Sequence, residues 1–159
     1  GIPWGQYLGY VAVVGIPLAL LLAPFMLIAL AKARRRKRRL AAPEAVDRVS
    51  GGWREVVDTA VDLGSSVPQS ATRRETARDL AEAYPGTRTI AVAERADAAV
   101  FGAGEPSEAE VTAFWTEVDR LVSDMSRSVG RWQRLRGRFS LRSLTRGIRP
   151  VPTRRGGRP

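Results

Sequence analysis

The chain has 159 residues, with 26 basic and 16 acidic side chains for a net charge of +10, and it contains neither Cys nor His. That composition excludes a disulfide framework, a thiol nucleophile and a thiolate metal site, and it removes the usual general base and the commonest zinc ligand. Gly102-Ala103-Gly104 matches no phosphate loop or dinucleotide fingerprint, so neither catalysis by this chain nor a cofactor is expected.

Residues 1–31 carry no charged side chain. Within them, residues 1–7 read as a short extracytoplasmic stub and Leu8–Ala31 as an unbroken apolar run. Twenty-four helical residues extend roughly 36 Å, enough to cross a bilayer core of about 30 Å with some tilt. A soluble domain of this size would struggle to surround such a helix. A signal peptide would carry its positive charge ahead of the run, and here the charge follows. Lys32, Arg34, Arg35, Arg36, Lys37, Arg38 and Arg39 form a stop-transfer pattern over residues 32–40. The positive-inside rule puts that cluster in the cytoplasm of a cell membrane and the N-terminus outside, where Trp4, Tyr7 and Tyr10 supply an aromatic belt. Each of the seven cations, near an anionic leaflet, contributes about 1 kcal/mol of attraction to lipid headgroups.

Gly15, Ala19 and Ala23 recur every four residues, a spacing that lets other membrane helices of the same protein pack closely. An Ala- and Gly-rich composition explains the row equally well. Pro17 and Pro24, seven apart, each free a carbonyl that something must satisfy. A chain that opens on Gly and enters the membrane almost at once suggests a piece of a longer protein with its preceding part outside the cell, although processing would look the same.

Residues 41–139 predict a helical cytoplasmic domain. Residues 41–126 hold eight basic and all 16 acidic side chains, a net charge of 8 − 16 = −8. Pro43 suits a first helical turn. Val46, Val49, Trp53, Val56, Ala60 and Leu63 make one apolar stripe, ending at Gly64. Gly51-Gly52 inside it cost about 1 kcal/mol each relative to Ala, so they mark a close contact or a break. Thr72 and Glu75 form a capping box for a second helix with Ala77, Leu80, Ala81 and Tyr84 inward, stopped by Pro85-Gly86. A third helix is expected over 87–101, burying Ile90, Ala93, Ala96, Val100 and Phe101. Ser107 and Glu110 cap the longest, with Val111, Phe114, Val118, Leu121, Met125, Val129 and Trp132 running to about Leu135.

No window alternates with period two, so the fold class is all-α: one transmembrane helix, then a small three- or four-helix bundle. Trp53, Tyr84, Phe101, Phe114 and Trp132 are its expected core, and its faces allow a cytoplasmic protein partner. Residues 140–159 read as a disordered Arg-rich tail. Eleven arginines and no acid over residues 127–159 suit anionic lipid. Nucleic acid is disfavoured, because no aromatic interleaving appears beyond Phe139. Ser140, Ser143, Thr145 and Thr153 lie among these arginines, where a phosphate would cancel local charge.

Three short motifs then fall in a distinctive order after the membrane helix: Val49-Ser50-Gly51-Gly52-Trp53-Arg54-Glu55, the Thr72-x-x-Glu75 helix start, and Ala98-Ala99-Val100-Phe101-Gly102. This order resembles the C-terminal end of actinobacterial membrane-anchored transglutaminase-like proteins, over roughly residues 8–145. The resemblance implies that a Cys/His/Asp catalytic domain lies upstream and outside the cell, and that this chain is its non-catalytic anchor and cytoplasmic interaction domain. No catalytic position can be carried over onto a sequence without Cys or His. The alternative is an independent membrane-tethered scaffold that binds anionic lipid through its basic segments.

Overall fold

The computed structural model describes residues 4–146. Within them the protein is all-α, with one long apolar helix at the N-terminal end and a helical bundle after it. Thr153 and most of the expected tail lie outside the described residues.

Helix α1 (Trp4–Tyr10) passes through a π-helical turn (Val11–Gly15) into α2 (Ile16–Leu40). The wide turn sits just ahead of Pro17. Pro17 has no N–H to donate to the Val13 carbonyl, so the ordinary α-helical ladder lacks a rung at this point. Pro24 lies inside α2 without ending it. Among the described residues one helix is apolar and long enough to cross a membrane, and none of that apolar stretch is buried against the rest of the chain. It is therefore not the core of the bundle. The helix does not stop at the end of the apolar run either: it carries the basic cluster in the same rod to Leu40.

The bundle begins with α3 (Ala45–Asp62), which packs against α2 on one side and against α5 (Thr89–Phe101) and α6 (Glu108–Ser128) on the other. Helix α4 (Arg73–Ala83) pairs with α5. Both expected capping boxes form: Thr72 and Glu75 open α4, and Ser107 and Glu110 open α6. The apolar stripe of α3 is buried through Val49, Trp53, Val56, Ala60 and Leu63, against Leu80, Tyr84, Val92, Phe114, Val118, Leu121 and Met125. Gly51 and Gly52 mark close contacts rather than a break. A Cβ on Gly51 would lie 2.9 Å from Arg39 Cβ, and one on Gly52 would lie 2.7 Å from Phe114 Cε1. Adjacent residues of α3 thus admit α2 on one side and α6 on the other.

Four expectations need correction. Ile90, Phe101 and Trp132 are 46%, 81% and 79% exposed, not core. Ile90 lies off the inward face of α5, which buries Thr89, Val92, Ala93 and Ala96 instead. Phe101 is the last residue of α5, where the chain leaves the bundle at Gly102. Trp132 is outside because the longest helix ends at Ser128, and a new short helix, α7 (Arg131–Arg138), starts after Gly130 with a different face inward. Fourth, the chain stays ordered past Ser140: α8 (Arg142–Thr145) packs on α3, with Ser143 buried.

Candidate functional site

The basic cluster is the feature with the most chemistry, and helical geometry divides it. Lys32, Arg35, Arg36 and Arg39 recur at spacings of three, one and three, which places them on one face of α2. On α3, Glu55, Asp58 and Asp62 recur at three and four, making an acidic edge beside the buried apolar stripe. The two edges meet along a seam. Lys32 Nζ lies 2.8 Å from Asp62 Oδ2. Arg35 reaches Asp58 at 3.3 Å. Arg39 forks across both remaining acids, at 2.7 Å from Glu55 and 2.6 Å from Asp58.

These groups are largely removed from water. Side-chain exposures along the seam run from 9% at Asp62 to 22% at Arg35. Charges in such a setting are stable only when each has a partner and its other hydrogen-bonding positions are filled. Here they are. The Asp62 carboxylate also accepts the Ser143 N–H at 3.1 Å and the Ser143 hydroxyl at 2.9 Å. Arg35 donates to the same Ser143 oxygen at 3.1 Å, and Lys32 Nζ donates to the Gly137 carbonyl at 2.9 Å. Helices α7 and α8 are thereby tied to the point where the apolar part of α2 gives way to its charged part.

Arg36 turns to the other neighbour. It pairs with Asp119 of α6 at 2.7 Å and lies 4.9 Å above the Trp115 ring. Trp115 is buried and donates its indole N–H to the Arg48 carbonyl at 3.2 Å. Trp115 was missed in the sequence because it sits beside Phe114, off the line of the α6 stripe. Its signal lies in the combination of Arg36, Trp115 and Asp119, which only the packing of α2 on α6 brings together.

The seven cations expected at lipid headgroups therefore fall into two groups. Lys32, Arg35, Arg36 and Arg39 face acids of the bundle, while Arg34, Lys37 and Arg38 are exposed on the opposite side of α2. The spacing that separates them was present in the sequence, as was the matching spacing of Glu55, Asp58 and Asp62. The small-residue row lies higher on the same rod. Gly15 closes the π turn, Ala19 and Ala23 are exposed, and the described bundle does not cover them. Of the four hydroxyls among the arginines, Ser143 is buried and committed to Asp62, Ser140 is half-buried, and Thr145 is exposed.

The geometry makes a mechanical joint: an apolar helix runs without interruption into a folded bundle that grips its charged end. Comparison of this chain with protein families, with characterised proteins and with solved structures found no match.

Proposed function

We propose that this chain is a non-catalytic membrane anchor joined rigidly to a cytoplasmic helical interaction domain. The observation that carries the reading is the seam between α2 and α3, which fixes the bundle to the same helix that has the length and apolarity of a membrane span. A flexible linker would let the two parts reorient independently; four paired cations on a continuous helix do not. The positive-inside rule supports a cytoplasmic bundle and an N-terminus on the far side. Exposed Arg34, Lys37 and Arg38 supply the attraction to anionic lipid.

The partner on the far side, in this reading, is a transglutaminase-like catalytic domain in the same polypeptide, reached through further membrane helices that pack on Gly15, Ala19 and Ala23. Only the order of the three short motifs supports that part. A complete reading frame with no upstream Cys/His/Asp constellation overturns it and leaves the anchor standing.

The topology has a direct test, since the chain has no native Cys. Single cysteines at Gly5 and at exposed Arg120 are challenged with a membrane-impermeant maleimide in intact cells and again after permeabilisation. Labelling at position 5 in intact cells, with position 120 protected until permeabilisation, is the expected result. The reverse pattern, or release of the chain by alkaline carbonate, overturns the proposal. A free-standing scaffold without an upstream domain is the second reading, favoured by the exposed Arg34, Lys37 and Arg38. It is distinguished by the same reading frame.

A further inference from the structure

Helix α7 has three faces. Gln133 and Gly137, four residues apart, face the bundle. The Gln133 side chain donates to the Leu63 carbonyl at 2.6 Å, and a Cβ at Gly137 would lie 3.1 Å from Leu63 Cδ2. Arg131, Arg134 and Arg138 form a cationic face. Trp132 and Leu135, with Phe139 just past the helix end, form an apolar face that the bundle leaves uncovered: Trp132 is 79% exposed and Leu135 is 48% exposed.

What this face meets is the apolar helix. The Phe139 ring lies edge-on to Phe25 of α2, with centroids 5.0 Å apart. Leu141, 52% exposed, extends the apolar patch toward α8. Phe25, Trp132, Leu135, Phe139 and Leu141 line an open groove of about 740 Å³, rimmed by Arg136 and Arg142. Phe25 lies seven residues before Lys32, which is roughly 10 Å along the helix axis. If Lys32 marks the headgroups, this groove begins at the depth of the acyl chains. No acid occurs between Arg127 and Arg146 to oppose that approach.

We propose that α7 and the start of α8 form an amphipathic element lying in the membrane interface beside the anchor. Trp132, Leu135 and Leu141 enter the acyl region, and the groove holds one acyl chain of an anionic lipid whose headgroup meets Arg136 and Arg142. The proposal rests on the reading of α2 as a membrane anchor. Two features choose lipid as the occupant: the groove is continuous with the lipid-facing surface at Phe25, and its rim is cationic. Interfacial helices bury their apolar face about 5–10 Å into the headgroup–acyl boundary, and Trp is favoured at that level.

The test uses the full chain carrying Trp4→Phe, reconstituted into vesicles of phosphatidylcholine and phosphatidylglycerol with brominated acyl chains. Trp53 and Trp115 are buried in the bundle, so Trp132 is the tryptophan within reach of bromine. Bromolipid is expected to remove most of the Trp132 emission, measured as the difference between the W4F and W4F/W132F proteins. Omitting phosphatidylglycerol is expected to weaken the quenching. A chain that floats with the vesicles while Trp132 is quenched only by aqueous acrylamide overturns the interfacial element and leaves the anchor intact. A chain that fails to float overturns both. Quenching that ignores phosphatidylglycerol overturns the anionic-headgroup contact.

Discussion

Asp58 pairs with two guanidinium groups at once, accepting from Arg39 at 2.6 Å and lying 3.3 Å from Arg35, with only 11% of its side chain exposed. Asp58→Asn would leave two cations on a half-dry surface with Glu55 as their remaining acid. The loss expected is about 3 kcal/mol, the scale for removing one partner of a buried pair. Asp119→Asn is the matched control, because that carboxylate is 55% exposed and exposed pairs contribute about 0–1 kcal/mol. Thermal unfolding of the full chain in detergent micelles, followed by circular dichroism, compares the two; equal losses would mean that the seam does not hold the bundle. Gly51 and Gly52 give a second prediction at this scale. Ala is favoured over Gly in a helix by about 1 kcal/mol, yet at both positions the new Cβ falls within 3.0 Å of a packed neighbour. Gly52→Ala meets the buried Phe114 ring, and Gly51→Ala meets Arg39 close to its backbone. Overpacking of this kind costs about 1–3 kcal/mol, so both substitutions should lower the melting temperature despite the better propensity.

The helices were legible in the sequence to different degrees. Helices α4 and α6 were readable because capping boxes fix their starts and periodicity fixes their inward face. Helix α3 was readable from its long stripe alone, since it opens at Ala45 without a side-chain cap and leaves Pro43 outside its first turn. Helix α7 was not, since Val129 and Trp132 continue the period of α6 and conceal the break before Arg131. The order of Arg142–Thr145 was hidden as well, because it depends on Ser143 reaching Asp62, 81 residues away. In the site, seven cations were visible as one cluster. Their division needed the acidic edge of α3 to be set against them, a relation between two faces rather than a property of either. The caps carry a pH prediction. The Thr72 backbone N–H, and then its hydroxyl, hold the Glu75 carboxyl below its ordinary 4.5. Ser107 does the same for Glu110. A carboxylate whose folded pKa is depressed adds stability above its unfolded pKa and loses it as pH falls through the folded value. Glu75→Gln with Glu110→Gln should therefore lower stability at neutral pH and flatten its decline below about pH 4.5. Melting temperatures across that range that fall in parallel for both proteins would contradict this.

For the molecule as a whole, the two faces of the basic helix should separate by mutation. Neutralising Arg34, Lys37 and Arg38 to Gln should leave the bundle's melting temperature nearly unchanged while reducing enrichment of spin-labelled phosphatidylglycerol around the reconstituted protein. At about 1 kcal/mol per cation the attraction lost is roughly 3 kcal/mol. Neutralising Lys32, Arg35 and Arg39 should do the opposite, freeing the bundle from α2 with a smaller change in lipid selectivity. Identical effects from the two sets would mean that the cluster acts only as a diffuse charge. The π turn at Val11–Gly15 adds a directional consequence. A wide turn holds about one residue more than an α-helical turn, so the segment before it is swung on the order of 100° about the axis. The seam clamps the other end of the rod. The compass bearing of Trp4 and Tyr10 relative to the bundle is therefore written into one turn of backbone, and closing that turn to an ordinary α-helical one with every residue kept would swing the bearing by about a quarter-circle while each paired cation kept its acid.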